Sequence, residues 1–145
     1  MKRSSRLSLA LHALVHLHAQ PANPQTSAAL AKCLMTNAVV VRRVLGELRE
    51  AGVVTASKGP NGGWSLALPA HEITLHLVYE AMGERLLVRT ESDPGDTGCV
   101  IVRSVDRVMH EFLEDAEALL ATRLARVRLS DIATEANGAG FPHHH

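Results

Sequence analysis

The chain is 145 residues long, 46% hydrophobic and 21% charged, a composition that fits one folded domain with an appended element and excludes a mainly disordered chain. Aromatic residues make up 3%, with Trp64 and Tyr79 the sole Trp and Tyr, which argues against a single-strand binder that stacks bases on rings. The formal net charge of zero hides a split: residues 1–64 carry eight basic side chains against Glu47 and Glu50, a net +6, while the rest carries seven basic and thirteen acidic ones, as a polyanion-binding half beside a half with another task would.

In chain order, Leu7, Ala10, Leu11, Leu14 and Leu17 recur at helical spacing and predict an amphipathic helix over residues 5–19, ended by Pro21 and Pro24. Thr26 and Ser27 offer N-cap hydroxyls to a short helix over 28–34, with Leu30 and Leu34 on one face. After a break at residues 35–37, Thr36 or Asn37 can cap a third helix running to about Ala51. Its core stripe is Val41, Val44, Leu45 and Leu48, and Gly52 stands where the helix should stop. Residues 53–57 are β-prone and residues 58–63 form a turn. Trp64, Leu66 and Leu68 then alternate as a second strand, stopped by Pro69.

A fourth helix is predicted from Ile73 to about Met82, with Leu77, Val78 and Ala81 among its apolar residues. Residues 91–98 read as a polar loop. Ile101, Val105, Val108, Phe112, Leu119 and Leu120 mark a long helix ending near Leu124, and Val127, Leu129 and Ile132 a short last element. The expected fold is mainly α with a small β-wing: a winged helix-turn-helix over 1–84, a loop over 85–98, a dimerisation helix and terminal element over 99–135, and a disordered tail over 136–145. No apolar run approaches the roughly 20 residues of a membrane helix, and no signal-peptide cleavage pattern follows Lys2, Arg3 and Arg6. The expected location is cytoplasmic.

On a helical wheel at about 100° per residue, Val44, Leu45 and Leu48 fall within roughly 60° of Val41, and Val39, Arg42, Arg43 and Gly46 fall opposite. Two arginines on an outward face suit a major-groove reader, because guanidinium can bond guanine bidentately or clamp phosphate. Asn37 can bond a base edge or a phosphate. Lys58 stands at a narrow tip made of Gly59, Pro60, Asn61, Gly62 and Gly63, which can enter a minor groove or follow a phosphate strand. The tip lacks the G-x-x-x-x-G-K-[ST] order and opens no helix, so it is not a nucleotide-binding loop. The candidate DNA-binding set is Thr36, Asn37, Val39, Val40, Arg42 and Arg43, with residues 58–63 of the wing.

Leu45, Leu48, Arg49, Gly52, Val53 and Val54, then Lys58 through Leu66, then His71, Glu72, Ile73, Thr74 and Leu75, resemble the Rrf-two (BadM-type) winged-helix regulators over residues 6–131. The resemblance implies a homodimer with crossed long helices and two wings on a palindromic operator. It implies contacts near Asn37, Val39, Arg42 and Arg43, and a wing contact at Lys58. The family's wing usually carries Arg there; lysine keeps the charge without the fork, which favours phosphate over base contact. Many members hold an iron–sulfur cluster on three cysteines between the fourth helix and the dimer helix. Here that region has Cys99 alone, and one thiolate cannot supply such a set. Thr36, Asn37, Val39, Val40 and Arg42, with Asp93-Pro94 before a lone cysteine, resemble the YwnA-like branch without a cluster. No cluster or other cofactor is expected.

Cys99 is a candidate sensor thiol, since a helix N-terminus favours thiolate; Asp93 and Asp96 oppose that, and a small packing residue is the competing reading. Cys33, three residues after Leu30, is expected in the core. His12 and His16 lie four apart, too few for a metal site on their own. His18 is expected to pack, and His143, His144 and His145 receive no function. Glu111, Glu114, Asp115 and Glu117 crowd one helix segment but form no nucleophile–base–acid set, so an enzyme is not expected. The reading is a homodimeric regulator of duplex DNA, a repressor answering a small-molecule or redox effector. The alternative is a winged-helix interaction module without DNA binding.

Overall fold

The computed structural model describes residues 6–83 and 99–138. Lys2, Arg3, Asp93, Asp96, the whole of the expected loop over 85–98 and the terminal histidines lie outside them. The described elements run α1 (Arg6–Ala19), α2 (Ser27–Leu34), α3 (Ala38–Glu50), β1 (Val54–Ser57), β2 (Gly63–Leu66), a 3-10 turn (Ala70–Glu72), α4 (Leu75–Met82), α5 (Val100–Arg126) and α6 (Leu129–Gly138). The chain is a winged helix-turn-helix followed by one long helix and a short one.

Local chemistry sets the boundaries. Thr26 caps α2, its hydroxyl accepting from the Ala29 N–H at 3.0 Å, and Asn37 caps α3, its side-chain oxygen accepting from Val40 at 2.9 Å. Thr74 caps α4 in the same way through Leu77, at 3.1 Å. Met35 takes a left-handed conformation at φ 57 between α2 and α3, a place where glycine is usual. Its 92% exposure lets the long side chain leave the turn without a clash.

The core joins Leu7, Ala10, Leu14 and Leu17 of α1 to Leu30, Val41, Val44, Leu45, Leu48, Val53, Ile73 and Val78. Each fully buried Leu, Ile or Val adds about 1.5–3 kcal/mol of hydrophobic stabilisation. β1 and β2 pair antiparallel from Val54–Leu66 to Ser57–Gly63. Gln25 adds a rung: its N–H donates to the Trp64 carbonyl at 3.0 Å and its carbonyl accepts from the Trp64 N–H at 2.8 Å.

Three expectations need correction. Ile73 lies before α4 in extended backbone, because it pairs with the far end of the chain: the Leu129 N–H donates to the Ile73 carbonyl at 2.7 Å and the Leu75 N–H to Val127 at 2.9 Å. Cys33 is exposed, since the buried arc of α2 centres on Leu30, Ala31 and Leu34, about 100° from it on the wheel. The terminal segment is helical to Gly138, into the stretch expected to be loose. That helix, α6, packs on α1 and the 3-10 turn, with Leu129 fully buried, so it completes the winged helix and is not an annex of α5.

Candidate nucleic-acid interface

α3 is amphipathic, and burial of Val41, Val44, Leu45 and Leu48 fixes its rotation. That rotation turns Asn37, Val39, Arg42 and Arg43 to the exposed side; Thr36 and Val40 are half-buried. No described carboxylate pairs with Arg42, Arg43 or Lys58, so their charges are uncompensated, as an anion-binding surface requires. The Asn37 side-chain oxygen is committed to the cap, which leaves its NH2 as the group available for an acceptor on a base or phosphate. A Cβ at Gly46 would meet nothing within 4 Å, so the helix surface is open there.

The wing follows from the end of α3, where the Gly52 N–H donates to Arg49 and the Val53 N–H to Leu48. Lys58, Gly59, Pro60 and Asn61 are exposed, and Gly62 and Gly63 half-buried. Gly63 has φ 152, and a Cβ there would lie 2.6 Å from the Gln25 carbonyl oxygen. A Cβ at Gly62 would collide with the Ser57 backbone. Both glycines are needed for the hairpin to close against the Gln25 rung. The Trp64 indole N–H donates to the Ser27 hydroxyl at 2.9 Å, which pins β2, close to the wing's turn, to the start of α2 and so to the helix-turn-helix.

Two partners of this surface were not read from the sequence. Met35 projects from the turn beside Thr36. Glu47, half-buried on α3, pairs with Arg6 of α1, an ion pair across 41 positions that no local pattern announces.

Cys99 is exposed at the N-cap of α5 and makes no side-chain capping bond. His12 is exposed and His16 and His18 half-buried. His16 titrates below the ordinary histidine value, first because burial disfavours its cation and then because His12 is a like charge nearby. Among the described residues no group of three or more His, Cys, Asp or Glu side chains could hold a metal ion. Cys33 and Cys99, the chain's two cysteines, lie on different elements, and residues 84–98 contain none. This donor set does not fit a cluster held on three thiolates. No described helix is long and apolar enough to cross a membrane.

Comparison with known proteins places these features in a family. The family model described as "Rrf2: Iron-dependent Transcriptional regulator" matches residues 3–135. The chain is 26% identical over 129 residues to the putative HTH-type transcriptional regulator YwnA of Bacillus subtilis, covering 89% of this chain and 95% of that protein. The structure of T. potens IscR superposes with a TM-score of 0.73 at 19% identity, covering 99% of this chain and 94% of that one. That of CymR, the global cysteine regulator of B. subtilis, superposes at 0.65 and 18%, covering 93% and 98%.

Proposed function

The chain belongs to the Rrf2 family of DNA-binding transcription regulators, and on that premise we propose that it acts as a homodimeric repressor on a palindromic operator. Asn37, Val39, Arg42 and Arg43, flanked by Thr36 and Val40, read the major groove, and residues 58–63 set Lys58 against phosphate in or beside the minor groove. The observation that carries this reading is the set of three uncompensated cations, two on the exposed face of a capped, rotationally fixed helix and one on a glycine-built wing tip. The half-sites mirror the two-fold axis of the dimer.

The dimer forms through α5. Leu124 is the one buried residue among the 27 of this helix. Ile101, Val105, Val108, Phe112 and Leu119, each more than half exposed, fall within about 60° of arc. So long an apolar stripe on a charged helix suits a second copy of itself. The protein is a cytoplasmic regulator and not an enzyme. It works without an iron–sulfur cluster, in the manner of a YwnA-like branch, and responds to oxidant or a small effector, with Cys99 the candidate thiol.

Selection of bound fragments from the source genome, with and without oxidant, tests the reading. It holds if one palindromic sequence is enriched and oxidant changes its recovery. Cysteine replacement at Cys99 should then abolish the oxidant effect. Failure to retain any duplex, alongside a salt-insensitive complex with a protein, would favour an interaction module instead.

A further inference from the structure

Glu47 departs from the surface it occupies. It lies one turn beyond Arg43 on a helix offered to a polyanion, and near the C-terminal end of α3, where the helix dipole disfavours a carboxylate. The structure gives it a partner: Nη2 of Arg6, at the start of α1, bonds Oε1 of Glu47. Nη1 of the same guanidinium donates to the Met82 carbonyl at 3.4 Å. Met82 is the last residue of α4, where unpaired carbonyls and the dipole attract a cation. One planar fork thus touches both α3 and the end of α4, the helix from which the chain departs toward α5.

We propose that Arg6 is a positioning residue for DNA recognition: by tying Glu47 to the C-terminal end of α4, it holds α3 at the tilt that presents Arg42 and Arg43 to the groove. The side chains of Arg6 and Glu47 are 41% and 34% exposed, so solvent screens the pair and it adds little to global stability. Its contribution is to orientation. The fork geometry matters, because an ammonium offers a point charge where two acceptors lie in different directions. This inference rests on α3 being the recognition helix.

The test compares two probes, the operator duplex recovered by fragment selection and a mixed-sequence duplex of equal length. The proteins are the full chain and its Glu47→Gln, Arg6→Gln, Arg6→Lys, Arg6→Gln/Glu47→Gln and Arg42→Ala variants. Simple electrostatics predicts that Glu47→Gln, by removing a negative charge, tightens both duplexes alike. Positioning predicts that it weakens the operator by about two- to fivefold while the mixed duplex binds as well or better, so the specificity ratio falls. Arg6→Lys, with the charge kept, should lower the same ratio. The double variant should lose no more than the worse single one. Equal tightening of both duplexes, additive losses in the double variant, or equal weakening of both duplexes with a lowered melting temperature would each overturn the proposal. If Arg42→Ala weakens the operator and Glu47→Gln does not, the Arg6 tether alone fails. If Arg42→Ala leaves operator binding unchanged, the recognition-helix assignment fails and takes the tether with it.

Discussion

At the scale of single residues, Arg42 and Lys58 carry the same charge and should fail differently. Arg42→Ala removes a fork that can read a base edge, at a cost of about 1–3 kcal/mol and with relaxed specificity at one position. Lys58→Ala should weaken all sequences evenly and lower the slope of log affinity against log salt by about 1. Binding titrations at several salt concentrations separate the two. Gly63→Ala forces a side chain into φ 152 against the Gln25 backbone and should cost about 1–3 kcal/mol. Urea unfolding followed through Trp64, the residue after Gly63, whose indole bonds Ser27, measures it. His16 sets a pH dependence. Its proton affinity is lower in the folded chain than the unfolded reference value of 6.5, so the unfolded state takes up the proton first as pH falls. Its contribution is therefore unfavourable below that value and absent above it. The melting temperature should drop between pH 7 and 5.5, and His16→Gln should reduce the drop.

At the scale of elements, the sequence is most legible where the signal is local. The core stripe of α3, its Asn37 cap and the glycine turn of the wing each follow from residues within a few positions of one another. What could not be read is what the fold brings together from afar. Met35 takes the left-handed turn without a glycine to mark it. Cys33 sits at a plausible core spacing, yet Ala31 rotates the buried arc of α2 away from it. Arg6 finds Glu47 only when α1 packs on α3. The last helix was legible as an element and not as a neighbour, because its place depends on backbone pairing between Ile73 and Leu129. That pairing makes a sharp prediction. Leu129 is fully buried, so Leu129→Ala should destabilise the winged helix by about 2–5 kcal/mol. The loss should appear in denaturant unfolding followed through Trp64, far along the chain from the substitution. If α6 were an independent annex of α5, the Trp64 transition would not move.

At the scale of the whole molecule, the charge split has a structural counterpart. The basic half supplies α3 and the wing, and the acidic half supplies α5, whose apolar residues from Ile101 to Leu119 are exposed among the described residues. If that stripe is where two copies meet, Phe112→Glu puts a carboxylate at its middle and should yield monomers by sedimentation. It should also lower operator affinity by about 10²-fold or more, because each half-site is then bound without the other. Monomers with unchanged operator affinity would mean that dimerisation does not assist binding.

The β-bridge between residues 73–75 and 127–129 also bears on synthesis. The winged helix is not finished when α4 has left the ribosome: the hydrophobic plug that Leu129 provides arrives 47 residues after Met82. Closing so long a loop is entropically slow. A nascent chain that stops short of Leu129 would therefore carry α3 and the wing in sequence while lacking the plug that steadies them. Synthesis through Leu129 would thus be required before α3 and the wing rest on a finished core.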